Sequence, residues 1–186
     1  MKCHNGYIFL FLLIVLSSII ILFAQDNMNS IYDFQVKTID GEVFKMETLK
    51  GKKIMIVNTA SKCGFTNQYK DLQLLYKEFG GSDFEILAFP SNDFMNQEPG
   101  TNDEIKTFCE KKYDISFKLF EKIHVKGKNK HPLYTWLTQK EYNGVKNYFI
   151  KWNFQKFLIN KNGEIVDCLS PNVKPNIDKV LEWLKN

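Results

Sequence analysis

The chain has 186 residues, of which 44% are hydrophobic and 25% are charged, and its formal net charge is +4. This length and composition suit one globular domain with a buried core. The 25 Lys and Arg residues are scattered through the sequence and form no dense basic block, so the charge pattern gives no indication of nucleic-acid binding.

The first predicted element is an apolar N-terminal segment. Residues 7–24 are apolar apart from Ser17 and Ser18, a length between that of a signal-peptide core and that of a membrane-spanning helix. We therefore predict a signal peptide or an N-terminal membrane anchor over residues 1–24, a short linker over 25–30 and a folded domain over 31–186. Both alternatives place the domain outside the cytoplasm, either secreted or in a periplasm or compartment lumen, or anchored at a membrane.

The first half of the domain predicts a hairpin followed by a βαβ unit. Asp40-Gly41 between apolar residues indicates a β-hairpin. The apolar run 54–57 is typical of a central strand that is covered on both faces. Apolar residues then recur every three or four positions over 69–79, which predicts an amphipathic helix, and 84–89 is a second apolar strand. The crossover rule makes these two strands parallel.

The second half predicts three helices and a second hairpin. Thr101-Asn-Asp-Glu104 is a capping box at the start of a helix that carries Cys109. Residues 132–137 suit another helix, 157–167 an antiparallel hairpin, and 177–184 a final amphipathic helix. The order of elements predicts an α/β protein with a thioredoxin-like fold, in which a central mixed β-sheet is flanked by helices and preceded by an N-terminal β-hairpin.

Cys63 is the strongest candidate for a functional residue. It lies where the strand 54–57 ends and a helix begins near Asn67, so backbone N–H groups and the positive end of the helix dipole favour an anion there. Lys62 adds a cation, and the thiolate is the nucleophilic form of cysteine. A buried, purely structural cysteine is the alternative. The polar neighbour Ser61 and the small Gly64 favour a reactive site beyond the carboxyl ends of the strands.

The other cysteines are Cys3, Cys109 and Cys168, and the spacing of the four matches no zinc-binding pattern. We expect neither a metal nor a cofactor. Removal of a leader would take Cys3 with it and leave three cysteines. An odd number in an oxidising compartment favours a working thiol over a framework of structural disulfides.

Three motifs carry a family resemblance that covers residues 31–185. They are Asn58-Thr-Ala-Ser-Lys-Cys-Gly-Phe-Thr66, the stretch from Leu87-Ala-Phe-Pro-Ser-Asn-Asp-Phe94 to Asn96-Gln-Glu-Pro-Gly100, and Lys151-Trp-Asn-Phe-Gln-Lys-Phe157. In this order and spacing, the chain resembles a glutathione peroxidase of the cysteine type. Some members of that family carry selenocysteine at the position of Cys63.

The resemblance implies a thiol peroxidase that reduces hydrogen peroxide and organic or lipid hydroperoxides in antioxidant defence. It implies a catalytic set of Cys63, Gln97, Trp152 and Asn153. Peroxide cleavage needs a thiolate in line with the O–O bond and donors that stabilise the departing oxygen. The two amides and the indole supply N–H donors that stay neutral, and Cys63 would become a sulfenic acid. Taken singly, Trp152 suits a core and the two amides suit surface turns, so the motifs carry this assignment.

The resemblance also implies a resolving role for Cys109. Family members that use thioredoxin carry a second cysteine in this helix, and it would attack the sulfenic acid to form an intramolecular disulfide with Cys63. A disulfide requires Cα atoms within roughly 7 Å, so the helix around residues 108–113 would have to unwind. The alternative is a packed helix residue. For Cys168 the resemblance supplies no role, and we interpret it as structural.

Several departures from the family pattern affect the predicted loops and partners. Ser91, Asp93 and the pair Met95-Asn96 stand where other residue types are common, and they adjoin Gln97. Lys118 replaces a frequent proline and could loosen the segment that follows Cys109. The short stretch 139–150 resembles members without an oligomerisation loop, which implies a monomer and an open site. The implied reductant is a thioredoxin-like protein or glutathione.

Two hypotheses of other classes remain at this stage. The same cysteines would serve a peroxide sensor or redox relay that passes oxidation to a partner protein. A non-catalytic, membrane-tethered binding domain would have an unreactive Cys63. A peroxiredoxin is disfavoured because the expected Pro and Thr ahead of the nucleophile are missing, and a disulfide isomerase because no Cys-x-x-Cys occurs.

Overall fold

The computed structural model describes residues 30–186. The predicted leader, residues 1–24, and nearly all of the predicted linker lie outside the described residues. Within residues 30–186, no helix combines the length and the apolar character that a membrane span needs.

Seven strands and five α-helices make up the described domain. In chain order they are β1 Gln35–Lys37, β2 Val43–Lys45, β3 Lys53–Thr59, α1 Gln68–Phe79, β4 Phe84–Pro90, α2 Asn102–Tyr113, β5 Lys118–Leu119, α3 Pro132–Thr138, α4 Lys140–Asn143, β6 Lys156–Ile159, β7 Ile165–Leu169 and α5 Asp178–Lys185. Short 3₁₀ helices at Ile31–Asp33 and Met46–Leu49 flank the first two strands.

The central sheet has five strands in the order β5-β4-β3-β6-β7. β3 pairs in parallel with β4, and β4 with β5, whereas β6 runs antiparallel to β3 and β7 antiparallel to β6. The sheet is therefore mixed, and the predicted parallel βαβ unit is β3-α1-β4. β1 and β2 form the separate N-terminal hairpin that the Asp-Gly pair predicts.

Both faces of the sheet are covered by other parts of the protein. Every residue of β3 and β4 is therefore buried. Alternate residues of β3 point to opposite faces, so Ile54 and Ile56 join one core cluster while Met55 and Val57 join the other. Helix α3 packs on the first face, and helices α1, α2 and α5 pack on the second. This arrangement explains why both strands are continuous apolar runs in the sequence.

Helix α2 is well capped but thinly packed. Thr101 Oγ1 accepts a hydrogen bond from the Glu104 N–H, and the Glu104 carboxylate accepts one from the Thr101 N–H, which is the predicted capping box. Only Ile105 and Cys109 are fully buried among its residues. The helix ends at Asp114, whose φ of 52° is left-handed. Lys118 begins the short strand β5 in the segment that follows.

Candidate active site

Cys63 lies in the turn that connects β3 to α1, residues 61–67, which we call the Cys63 turn. Thr66 braces this turn, because its Oγ1 accepts a hydrogen bond from the Cys63 N–H at 3.0 Å and donates one to the Ala60 carbonyl at 2.9 Å. Helix α1 begins at Gln68, one residue after the predicted position. The Phe65 N–H donates to the Cys63 sulfur at 3.4 Å, so one backbone donor faces it. The sulfur is half-buried.

Gln97 lies in the loop that follows β4, residues 91–100, which we call the Gln97 loop. Two of its residues, Met95 and Asn96, have left-handed φ angles of 51° and 52°. Two hydrogen bonds join the loop to the Cys63 turn. The Lys62 N–H donates to the Gln97 carbonyl at 3.0 Å, and the Ser61 hydroxyl donates to Glu98 Oε2 at 3.1 Å.

Trp152 and Asn153 precede β6 in the segment 151–155. Asn58, which is fully buried near the end of β3, holds this segment with both its backbone and its side chain. The Phe154 N–H donates to the Asn58 carbonyl at 2.6 Å, and Asn58 Nδ2 donates to the Trp152 carbonyl at 3.1 Å. Phe154 itself has a left-handed φ of 67°. The end of β3 thus fixes both the Cys63 turn and the segment that carries the indole.

The structure brings Gln97 and Asn153 into direct contact. Asn153 Nδ2 donates to Gln97 Oε1 at 3.1 Å across a sequence separation of 56 residues. Asn153 is fully buried and Gln97 is half-buried. Because this bond uses the oxygen of the Gln97 amide, the Gln97 Nε2 donors remain free for another acceptor. Trp152 is half-buried and packs against Phe94, with 5.3 Å between the ring centroids.

The structure does not bring the Cys63 sulfur into hydrogen-bond contact with this group. Among the described residues, its hydrogen-bond donor is the Phe65 backbone, and neither Gln97, Trp152 nor Asn153 reaches it. Catalytic hydrogen bonds are often long in a substrate-free enzyme and tighten when substrate binds. The arrangement offers a half-buried sulfur, free amide and indole donors, and a loop connected to the sulfur-bearing turn. It suits the cleavage of a weak O–O bond that leaves negative charge on the departing oxygen.

Cys109 lies on α2 and is fully buried. Burial raises the pKa of its thiol to about 12, so the resting side chain is a protonated thiol. It belongs to the core cluster against which Cys63 is packed, yet both cysteines are free. The two thiols are unbonded in this structure, and the opening of α2 that a disulfide between them would need stays a prediction.

Cys168 lies half-buried on β7, and the sulfur accepts a hydrogen bond from Gln155 Nε2 at 3.2 Å. Burial raises the pKa of this thiol to about 11. A protonated, hydrogen-bonded thiol agrees with the structural interpretation. Among residues 30–186, no three His, Cys, Asp or Glu side chains gather as a metal site would require.

Sequence reasoning missed two residues that shape the site. In the sequence Asn58 is only the first residue of a motif, although a polar side chain that directly follows the apolar run 54–57 is a usable signal. Asp93 stands out in the sequence only as a departure from the family pattern. Its carboxylate accepts hydrogen bonds from the Val125 N–H at 2.6 Å and the Lys126 N–H at 3.1 Å, and it contacts His124 Nδ1 at 2.6 Å. Asp93 therefore fastens the Gln97 loop to the segment after β5.

Comparison with known proteins gives relatives along nearly the whole described domain. The sequence model of the family described as "Glutathione peroxidase" matches residues 31–138. The chain is 49% identical over 158 residues to "Glutathione peroxidase homolog BsaA" of Bacillus subtilis, a match that covers 82% of this chain and 99% of that protein. It is 45% identical over 160 residues to "Hydroperoxy fatty acid reductase gpx1" of Synechocystis sp., covering 82% of this chain and 93% of that protein.

Two solved structures resemble the described domain. The crystal structure of T. cruzi GPX1 matches with a TM-score of 0.63 and 34% identity, over 84% of this chain and 97% of that chain. A thioredoxin-family thiol:disulfide interchange protein from Chlorobium tepidum matches with a TM-score of 0.59 and 18% identity, over 82% of this chain and 93% of that chain. The second likeness concerns the fold alone and confirms the predicted thioredoxin-like architecture. With a matching family model and relatives this similar, the chain belongs to the glutathione peroxidase family, as its three motifs predict.

Proposed function

We propose that this peroxidase reduces hydrogen peroxide and organic or lipid hydroperoxides with Cys63 as the nucleophile. The Cys63 thiolate attacks one peroxide oxygen, the O–O bond breaks, and the departing oxygen leaves as an alcohol or as water after it takes a proton. Cys63 becomes a sulfenic acid. Gln97, Trp152 and Asn153 supply the N–H donors for the departing oxygen.

One observation carries this proposal. The Asn153–Gln97 hydrogen bond fixes the Gln97 amide so that its oxygen is occupied and its N–H donors are free, beside the turn that holds Cys63. Donors that are fixed before the reaction stabilise developing negative charge at little reorganisation cost. The name of the Synechocystis relative, a hydroperoxy fatty acid reductase, supports the inclusion of lipid hydroperoxides among the substrates.

Cys109 is the proposed resolving cysteine, and a thioredoxin-like protein is the proposed reductant, with glutathione as the alternative. A disulfide between Cys63 and Cys109 is the form that a dithiol reductant would open by thiol exchange. The relative of Schizosaccharomyces pombe, named glutathione peroxidase-like peroxiredoxin, supports this assignment at 47% identity. The names of these relatives describe peroxidases, so the hypothesis of a redox relay is not favoured.

The test compares three cysteine variants in a coupled assay with thioredoxin, thioredoxin reductase and hydroperoxide. Cys63→Ser should abolish peroxide consumption. Cys109→Ser should still consume one equivalent of peroxide but should lose thioredoxin-driven turnover, because its sulfenic acid has no internal partner. Cys168→Ser is a matched control outside the site, and it should keep both peroxide consumption and thioredoxin-driven turnover. Full activity of Cys63→Ser would exclude the proposal, and thioredoxin-driven turnover of Cys109→Ser would exclude the resolving role.

The proposal extends to location and assembly. An apolar segment over residues 7–24 supports an extracytoplasmic domain, either released by cleavage near Ala24 or anchored at the membrane, and the short stretch 139–150 supports a monomer. N-terminal sequencing of the mature protein together with cell fractionation tests the first point. Light scattering of the purified protein tests the second.

A further inference from the structure

A buried carboxyl group lies between the two elements that carry Cys63 and Cys109. The side chain of Glu98 belongs to a residue that is 1% exposed, and its Oε2 accepts a hydrogen bond from the Ser61 hydroxyl at 3.1 Å. Ser61 precedes Cys63 by two positions. Glu98 follows Gln97 but takes no part in the donor group that is proposed for peroxide cleavage.

Glu98 also faces a cleft between the Cys63 turn and helix α2. The cleft has a volume of about 410 Å³ and is lined by Ser61, Lys62, Glu98, Pro99, Gly100, Glu104, Ile105 and Phe108. Its walls are thus one side of the Cys63 turn, one side of the Gln97 loop and the face of α2 next to Cys109. The charge of Glu98 acts on the Cys109 thiol, and its Ser61 hydrogen bond connects it to the Cys63 turn.

The groups around Glu98 act on the pKa of its carboxyl in opposite directions. Burial raises the pKa of Glu98, while the Ser61 hydrogen bond and nearby lysines lower it in part. The charged and titratable neighbours come from four elements: Lys62 on the Cys63 turn, Tyr69 on α1, Glu104 and Cys109 on α2, and Lys122 after β5. A carboxyl group whose pKa is raised is a better proton acceptor than an ordinary surface carboxylate, and it can return the proton that it takes.

The resolving step needs such a group. The Cys109 thiol must lose its proton before it attacks. A free cysteine is mostly protonated at neutral pH, and in the closed helix burial raises the pKa of Cys109 further, to about 12. The sulfenic acid must lose its oxygen as water and not as free hydroxide. One acid–base group in the cleft between the Cys63 turn and α2 would meet both needs.

We propose that Glu98 is the proton acceptor and donor of the resolving step, which rests on the roles given to Cys63 and Cys109 above. The Cys109 S–H bond breaks and its proton passes to the Glu98 carboxylate. The Cys109 sulfur then attacks the Cys63 sulfur, so that the S–S bond forms as the Cys63 S–O bond breaks. The leaving hydroxide takes the proton from Glu98 and departs as water. The sulfenic sulfur is reduced and the thiol sulfur is oxidised, with no outside reagent.

The test follows the two chemical steps separately in the full chain. Reduced protein is mixed with one equivalent of hydrogen peroxide, peroxide loss is recorded, and quenched samples are analysed by mass spectrometry for sulfenic acid and disulfide. Glu98→Gln keeps an oxygen that can accept the Ser61 hydrogen bond but removes the titratable group. We expect disulfide formation to slow by about tenfold to a hundredfold, far more than peroxide loss, and its rate to rise with pH in proportion to hydroxide.

Glu104→Gln is the matched control, because Glu104 lines the same cleft and Gln also completes a capping box at this position. It should leave peroxide loss unchanged and alter disulfide formation by about twofold at most, through the loss of one first-turn charge on α2. Disulfide formation in Glu98→Gln with the same rate and pH profile as in Glu104→Gln would overturn the role of Glu98.

Chemical rescue separates proton transfer from mere support of the loop. In Glu98→Ala the cleft gains room for a small carboxylate, so added acetate should restore disulfide formation in proportion to its concentration. A rate of disulfide formation in Glu98→Ala that is reduced but insensitive to acetate would overturn the proposal. It would show that Glu98 only holds the Cys63 turn in place through its hydrogen bond with Ser61. Failure of the proposed function would look different, since the wild-type chain would then form no Cys63–Cys109 disulfide at all.

Discussion

Asn153 and Gln97 act as one hydrogen-bonded unit, although 56 positions separate them in the chain. The donor Asn153 is fully buried in front of β6, and the acceptor Gln97 sits half-buried in the loop after β4. The bond sets which end of the Gln97 amide is free. Asn58, near the end of β3, is hydrogen-bonded to the segment that carries Asn153. Lys62, in the turn that follows β3, is hydrogen-bonded to the Gln97 carbonyl. Both partners of the Asn153–Gln97 bond are therefore positioned by the end of β3 and the turn after it.

Asn153→Asp should therefore damage peroxide cleavage through Gln97. The new carboxylate has no donor for Gln97 Oε1, so the Gln97 amide would turn its N–H donors toward that carboxylate and its oxygen toward the site. We expect the single-turnover rate of peroxide consumption to fall by about 10²–10³, the usual effect of losing one donor to a developing oxyanion. Stopped-flow measurement with hydrogen peroxide checks this.

Asn147→Asp is a suitable control for that substitution, because Asn147 Oδ1 accepts a hydrogen bond from the Lys140 N–H and an Asp oxygen can do the same. It should leave the rate unchanged. A rate for Asn153→Asp within about twofold of the control would mean that the Asn153–Gln97 bond does not orient a catalytic donor.

The stability of helix α2 should control the rate of disulfide formation. In the proposed resolving step Cys109 reaches Cys63 when α2 opens, and the capping box at Thr101 stabilises the closed helix. Thr101→Ala removes a cap worth about 1 kcal/mol, which should raise the open population and the rate of disulfide formation about fivefold. Mass spectrometry of quenched samples after one equivalent of peroxide measures this rate.

Thr107→Ala provides the opposite change on the same helix. Thr107 is exposed and lies inside α2, where Ala is the better helix former by about half a kcal/mol, so opening and disulfide formation should slow about twofold. Equal rates in both variants and the wild type would show that α2 opening does not limit the resolving step.

The sequence predicts the framework of this fold well because its signals are local. Residues 54–57 and 84–89 are apolar without interruption because both faces of β3 and β4 are covered, and the Thr101 capping box marks the start of α2 within the chain itself. The family motifs name the site residues. No motif gives their contacts, because the site depends on left-handed backbone at Met95, Asn96 and Phe154, and none of these is a glycine that would signal it.

The sequence does not predict the contacts of Asp93 either. As a sequence departure it indicated only that the Gln97 loop could differ from the family pattern. Its partners lie at residues 124–126, more than thirty positions away, and they approach only because β5 pairs with β4. Tertiary packing, and not local pattern, determines this kind of contact.

Asp93→Asn should reduce stability in a way that depends on pH. Burial by itself raises the pKa of Asp93, but hydrogen bonds from His124 and from the Val125 and Lys126 N–H groups outweigh burial and hold the pKa below its ordinary value. The stabilisation is therefore present above the unfolded-state pKa of about 4 and is lost as pH falls through the lower folded-state pKa. At pH 7 we expect Asp93→Asn to lower the free energy of unfolding by about 1–3 kcal/mol.

Urea unfolding of both proteins from pH 7 down to pH 3 measures the effect. The difference in free energy of unfolding between the wild type and Asp93→Asn, which we call the gap, should close at the acid end of this range. Asp178→Asn, at an exposed position in the first turn of α5, should show a small gap at every pH. A constant gap for Asp93→Asn would mean that the charge of Asp93 contributes nothing.

Lys156 should make stability rise with pH as well, but in a higher pH range than Asp93. Its ammonium is fully buried beneath the active-site segment, where Nζ donates to the Phe154 carbonyl at 2.7 Å and to the Val173 carbonyl at 2.6 Å. Burial lowers the pKa of Lys156 to about 7. An unfolded lysine keeps its proton to about pH 10, so between these values the unfolded chain binds more protons than the folded one. The free energy of unfolding due to Lys156 therefore rises as pH increases from 7 toward 10.

The comparison with Lys156→Met isolates this contribution, because the other titrating groups are common to both proteins and cancel in the difference. Lys156→Met loses both hydrogen bonds and should be less stable at pH 9, but its deficit should shrink toward pH 6, where the wild type carries the full cost of a buried charge. The change should approach, and not exceed, about 1.4 kcal/mol per pH unit. Lys151→Met, at an exposed position, should show no such trend. A deficit that grows toward pH 6 would mean that the ammonium form stabilises the fold, contrary to the lowered pKa.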